Sequence, residues 1–341
     1  MGQAAALIVL RAYSGIHAGV GQEAGTVDLP IQRERITNFP VLRGPSLKGA
    51  LRQAAQDKGM DKNTYLKWIF GPDDKNAPDH AGAVSVGDAR LLLFPMRSLK
   101  GTFAWVSCPF AFRRLKRDLE DVGLQQQFPL SDPPSMTRTT VGICSKSNVK
   151  HVKEGNQEEW VVLEDYGLKV EAKHETHFDA LAGELEKLIL QPQTPGQPEP
   201  QAPAQAQTPT SELAHRLVVV ADDLFKNFVS FCTEVVTRVH LDDDTKTVKR
   251  GQLWTEELLP AESVLTALLI CSDDREKKAK TGMHLLEELK KKVDGRFQIG
   301  GNETVGYGLC HLSWVGPVDL TQSNQNQNGN TNPTSQQENP K

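Results

Sequence analysis

The sequence predicts an α+β fold, a ferredoxin-like core that carries long insertions. Two observations lead there. Apolar strand-like runs and periodic helix-like segments follow one another as strand, helix, strand, twice over. A glycine-dense stretch, residues 300–308, then sits between two apolar runs near the end of the second block, as a loop joining two strands would.

Each element has its own reason. Residues 4–13 are almost wholly apolar and predict a buried strand. A helix is expected from Ser46, read as an N-cap after Pro45, to a stop at Gly59. Leu47, Leu51 and Ala55 line one face of it, and Lys48 and Arg52 lie i, i+4 on another. Residues 84–94 predict a strand that breaks at Pro95, and 103–107 a short strand. Pro109 opens a helix through Phe112, Leu115 and Leu119 to Gly123. In the second half, 216–221 is strand-like, 222–229 helical, and 231–241 and 264–271 strand-like. Residues 282–293 form an amphipathic helix on Leu285, Leu286, Leu289 and Val293. Residues 236–254 read as two strands around an Asp/Thr/Lys turn.

The expected organisation is an N-terminal half of the core over 1–190 and a C-terminal half over 212–318. Between them, 191–211 is rich in Pro, Gln, Ala and Thr, and 319–341 is rich in Asn, Gln and Ser. Neither composition buries enough apolar surface to offset chain entropy, so both are expected to be disordered.

The formal net charge of the 341 residues is −4, but it is uneven. Residues 1–120 hold 17 Lys and Arg against 11 Asp and Glu, so a polyanion fits the first third best. No apolar run approaches the ~20 residues of a membrane span, and no signal peptide is legible, so a cytoplasmic protein is expected. The five cysteines are scattered with no CxxC pair, which points to buried free thiols.

Several tempting motifs fail. Gly19, Gly21 and Gly25 have one residue too many for a dinucleotide fingerprint, and no helix follows. Gly301 and Gly306 have P-loop spacing, but Tyr307 stands where the lysine must be. His174 and His177 are too close for an HExxH zinc site and read as a solvated helix face. The Lys48/Arg52 face is either an anion site at a helix N-terminus or an ordinary basic surface, and the residues alone leave both open.

Five segments together resemble CRISPR-associated proteins of the RAMP superfamily. They are Gly15-Ile-His-Ala-Gly19, Val27-Asp-Leu-Pro-Ile-Gln-Arg-Glu34, Pro45-Ser-Leu-Lys-Gly-Ala-Leu-Arg52, Asp88-Ala-Arg90 with Phe94 to Val106, and Ile299 to Gly308. Within that superfamily they are similar to the backbone subunits of type III-B (Cmr) effector complexes. The resemblance runs over residues 4–316, apart from the Pro/Gln insertion.

The resemblance implies a ferredoxin-like, RRM-related palm with inserted finger and thumb elements. It implies copies of the chain stacked in a helical filament along crRNA, beside other Cmr subunits, in antiviral defence. A thumb hairpin would part guide and target, and the target RNA would be cut at six-nucleotide steps with Mg²⁺ or Mn²⁺.

Asp28 then matches the family's catalytic aspartate; read from the residues alone, it is a loop-capping aspartate. Whether it acts as base or metal ligand stays open. His17, in the same loop, is a second proton-transfer group, an RNA contact or a packing residue. Arg43, Ser46, Lys48 and Arg52 are expected along the crRNA phosphates. So are Gly300, Gly301, Thr304, Gly306 and Tyr307 of the glycine loop, with added charge from Arg97 or Lys100. Leu253 and Trp254 are wedges against unstacked bases or core residues. Glu34 is expected to pair with Arg33 or Arg35. Two other functions compete: a crRNA-binding scaffold that does not cut, and a metal-free ribonuclease that processes crRNA precursors.

Overall fold

Seven consecutive residues, Ala4 to Leu10, are sealed from solvent, and they form the centre of strand β1 (Gln3–Ala12). The computed structural model describes residues 3–22, 25–72, 80–152, 158–189, 212–242, 244–276 and 280–320. The rest of the first half comprises β2 (Val41–Leu42), α1 (Gly44–Asp57), α2 (Tyr65–Phe70), β3 (Val84–Val86), β4 (Ala89–Arg97), β5 (Phe103–Ser107) and α3 (Pro109–Asp121). Then come β6 (Thr140–Ile143), β7 (His151–Val152), β8 (Glu159–Leu163), β9 (Tyr166–Val170) and α4 (Glu175–Ile189). The second half adds α5 (Glu212–Arg216), β10 (Leu217–Val219), α6 (Asp222–Phe231), β11 (Glu234–Leu241) and β12 (Val248–Leu258). It closes with β13 (Val264–Ser272), α7 (Gly282–Val293), β14 (Gly295–Gln298) and β15 (Leu309–Asp319).

The core follows β1-α1-β4-β13-α7-β15, with strands side by side in the order β15-β1-β13-β4, all antiparallel. That is the ferredoxin-like βαββαβ arrangement. α7 packs on β1, β13 and β15 and touches α1, while α4 also reaches β1. Cover from several helices is why β1 is apolar at successive positions rather than at alternate ones.

Two long excursions interrupt the core. Residues 13–43 run from β1 to α1, and 98–263 separate β4 from β13. The second carries the sheet outward through β5, β10, β6, β9, β8 and β7. It also projects β11 and β12 as a separate antiparallel hairpin.

Most expected elements are present, and the differences have local causes. α7 occupies the expected residues, capped by the Thr281 hydroxyl on the His284 N–H. β4 runs through Pro95 because its pairing with β13 ends at Leu93, so the missing N–H falls beyond that ladder. The interruption falls instead at Gly87 and Asp88, between β3 and β4.

Ser46 is not the cap of α1. The helix begins at Gly44 with Arg43 at the N-cap, and Ser46 lies exposed in the first turn. The missing cap comes from the break between β3 and β4: the Gly44 N–H donates to Asp88 Oδ1 at 2.7 Å. Residue 216 ends a helix rather than starting a strand. Glu34 pairs with Arg114 through both guanidinium nitrogens, not with its chain neighbours, while Arg33 turns to Glu257.

Burial pushes the thiols of Cys144, Cys271 and Cys310 up to about 12 and that of Cys108 higher still, which fits inert core cysteines. The Pro/Gln-rich stretch expected at 191–211 and residues 321–341 of the expected tail lie outside the described residues, while 319 completes β15.

Candidate functional site

The excursion after β1 is stitched to two distant parts of the chain. On one side it joins the base of the hairpin: Ile16 and Leu259 exchange backbone hydrogen bonds of 2.9 Å. Leu29 N–H donates to Thr255 O, and Glu257 N–H to Leu29 O, both at 3.0 Å. Residues around Leu29 thus run parallel to β12 as a short third strand. On the other side, Gly301 N–H donates to His17 O and Gly308 N–H to Gly15 O, both at 2.9 Å. The loop is thereby tied to the β14–β15 connection, which is the glycine-dense stretch.

This stitching sets Asp28 at the hairpin base. Its Oδ2 accepts from Thr255 N–H at 2.8 Å and from the Thr255 hydroxyl at 2.9 Å. Its own N–H donates to Thr255 Oγ1 at 3.0 Å. Oδ1 takes no hydrogen bond from the described residues. The Thr255 N–H, then its hydroxyl, hold the Asp28 carboxyl below its usual value of 3.8, so it is ionised at neutral pH.

His17 meets the same strand two residues on. Its Nδ1 donates to the Glu257 carbonyl at 2.9 Å, which leaves Nε2 as the acceptor in the neutral ring, and the ring lies over Gly19. Both residues therefore rest on β12, although no hydrogen bond joins them.

Two buried glutamates hold this junction. Glu257 accepts from Arg33 at 2.5 Å, Thr233 at 2.7 Å and Ile31 N–H at 3.0 Å. Glu256 accepts from Trp254 Nε1 at 2.8 Å, Asn302 Nδ2 at 2.9 Å and Arg238 Nε at 3.3 Å. Arg238 in turn lies 4.8 Å above the Tyr307 ring. Neither glutamate was singled out in the sequence, because their partners come from four separate segments.

Successive strand residues face opposite ways, and this separates Leu253 from Trp254. Leu253 shares the Thr255 face with its cross-strand partner Val239, and both are exposed. Trp254 shares the Glu256 face and leans toward the glycine loop.

The glycine loop walls a cleft of about 670 Å³ against α1. Gly300, Gly301 and His17 face Ser46, Ala50 and Gln53 across it, and Lys58, Arg296, Asp57 and Glu303 also line it. Gly300 has φ +92°, and a Cβ there would stand 2.7 Å from His17 O, so only glycine permits this approach. Thr304 sits exposed on a 3-10 turn of the loop, and Gly306 ends that turn.

Lys48 and Arg52 project from a different flank of α1. Lys48 Nζ donates to Val84 O at 2.8 Å, and Arg52 to Gly71 O at 3.1 Å. Arg275 faces the same basin as Lys48, a cation that sequence reading missed. Burial, then repulsion from Arg275 and Arg52, lowers the Lys48 ammonium from its usual range, so the three form one basic patch. Arg43 binds Asp88 at 3.0 Å and Arg33 O at 2.9 Å. Arg97 pairs with Glu164 at 3.1 Å, beside the β8–β9 turn, and Lys100 lies in the β4–β5 turn; neither is joined to the glycine loop.

Among the described residues, no three His, Cys, Asp or Glu side chains converge as a metal cage. The open Oδ1 of Asp28 is one carboxylate oxygen, which by itself would hold a hard divalent cation only with help from other oxygen donors. Also among the described residues, no helix is long and apolar enough to cross a membrane.

The chain is similar to known proteins along almost its whole length. It is 32% identical over 309 residues to the CRISPR system Cmr endoribonuclease Cmr4 of Pyrococcus furiosus, covering 90% of this chain and 94% of that protein. The crystal structure of oligomeric Cmr4 from Pyrococcus furiosus superposes with a TM-score of 0.67 at 28% identity, over 92% of this chain and 98% of the other. A chain of the type III-B Cmr-beta complex bound to cognate target RNA shares the fold, with a TM-score of 0.64 at 18% identity over 91% and 96% of the two chains. With residues 9–311 matching the RAMP superfamily as well, the chain belongs to that superfamily and, within it, to the Cmr4 family.

Proposed function

We propose that this chain is the crRNA-binding backbone subunit of a type III-B effector and cuts target RNA through Asp28. Copies of it stack along the guide, together with the other Cmr subunits. The observation that carries the reading is the placement of Asp28: an ionised carboxylate with one open oxygen, at the base of a projecting hairpin.

RNA cleavage of this kind needs the 2′-hydroxyl to lose its proton and attack the adjacent phosphorus in line, expelling the 5′-oxygen. A duplex resists that geometry, whereas a nucleotide displaced by the hairpin reaches it. The exposed Val239–Leu253 pair, on the Asp28 face of the hairpin, is the apolar surface available to displace bases.

A carboxylate held below its usual range is a weak base at neutral pH, which favours the metal-ligand role of Asp28. A bound divalent ion, Mg²⁺ or Mn²⁺, would supply positive charge for the phosphoryl oxygens. His17 Nε2 is the second candidate proton acceptor. The guide backbone is assigned to the cleft between α1 and Gly300–Gly301, and to the Lys48, Arg52 and Arg275 patch.

The test uses a reconstituted effector. Asp28→Ala is expected to abolish cutting at six-nucleotide steps while target binding and assembly persist. EDTA is expected to stop cutting by the native complex, and Mg²⁺ or Mn²⁺ to restore it. Retained cutting by Asp28→Ala refutes the catalytic assignment, and indifference to EDTA refutes the metal.

A further inference from the structure

We propose that Thr255 is a positioning residue for target cutting: its hydroxyl and amide fix Asp28 Oδ2 to the hairpin base and leave Oδ1 for the substrate. This inference rests on the Asp28 reading above.

The geometry is reciprocal. One hydroxyl both donates to the carboxylate, at 2.9 Å, and accepts from the Asp28 N–H, at 3.0 Å, while the Thr255 N–H adds a bond of 2.8 Å. Three hydrogen bonds thus join two residues 227 positions apart. Asp28 is only half-buried, so these bonds do more than satisfy a buried charge. A solvated carboxylate left to itself samples its rotamers freely, and a second residue that pins one oxygen removes that freedom.

Thr255 also belongs to the strand that carries Leu253, two residues earlier and on the same face. A hairpin that shifts on meeting a duplex therefore carries the carboxylate with it. The element that displaces a nucleotide and the group that acts on it move as one body.

The experiment compares Thr255→Val, Thr255→Ser and Asp28→Ala in the assembled complex with guide RNA. It measures target affinity and the single-turnover cutting rate at saturating target. Valine keeps the shape but deletes both hydroxyl bonds, so the rate is expected to fall by about tenfold to a hundredfold with affinity unchanged. Serine, which keeps the hydroxyl, is expected to restore the rate.

If Asp28→Ala abolishes cutting while Thr255→Val cuts at the native rate, the positioning role is overturned and the Asp28 reading stands. If Thr255→Val instead loses guide loading or target binding, Thr255 is a structural residue and the inference fails. Native cutting by Asp28→Ala would overturn both.

Discussion

At the scale of single residues, charge is held in place by partners remote in sequence. Glu257 binds Arg33 and Thr233, Glu256 binds Asn302 and Arg238, and Asp28 binds Thr255. The last pair has a pH signature. Its hydrogen bonds favour the ionised form, so the folded carboxyl lies below the unfolded one. Whatever stability the pair adds is present above the unfolded value and is lost as pH falls through the folded one. NMR titration of the Asp28 carboxyl should therefore give a midpoint below 3.8, and Thr255→Val should move it upward. A midpoint at or above 3.8 in the native chain would contradict the hydrogen-bonded geometry.

At the scale of elements, the glycine loop and the hairpin depend on each other through Glu256 and Asn302. Alanine at two glycines separates backbone strain from contact. Gly306 has φ +89° with open space around its missing Cβ, so Gly306→Ala should cost about 1 kcal/mol through strain alone. Gly300→Ala adds a collision with His17 O, so it should unfold at lower urea concentration than Gly306→Ala and load less guide RNA. Equal midpoints would mean that the His17 contact yields freely.

What was legible at this scale follows from how local each signal is. α7 is readable because its apolar stripe, Leu285, Leu286, Leu289 and Val293, lies within twelve consecutive residues. The start of α1 is misplaced from sequence because its capping group, Asp88, comes from the β3–β4 connection, 44 residues away. Residues 140–170 carry little signal because their strands are two to five residues long, too short for periodicity to show. Asp28 was found through family resemblance, whereas Thr255 carries no signal in sequence, since it acquires its role only when β12 meets the Leu29 segment.

At the scale of the whole molecule, the proposed guide contacts are spread over several surfaces. The cleft sets Lys58 and Arg296 beside Asp57 and Glu303, whereas the other flank of α1 gathers Lys48, Arg52 and Arg275. Each cation that neutralises a phosphate of single-stranded RNA contributes about 0.7 to the logarithmic salt slope of binding. Lys48→Ala combined with Arg52→Ala should lower the slope of guide loading by about 1.4. An unchanged slope would confine these residues to their contacts with Val84 and Gly71. The net charge of −4 is no obstacle, because the cations that matter are gathered on particular faces.

The position of β1 bears on how the chain is made. This strand sits between β13 and β15, so both neighbours belong to the last quarter of the sequence. About 250 residues separate the end of β1 from the start of β13. At translation rates of roughly 5–20 residues per second, the strand waits on the order of 10–50 s for its first partner. Throughout that wait its apolar run, Ala4 to Leu10, has no sheet to join. A nascent chain with such an early, late-paired strand is a natural client for chaperones on the ribosome, and its yield should depend on them more than its finished stability suggests.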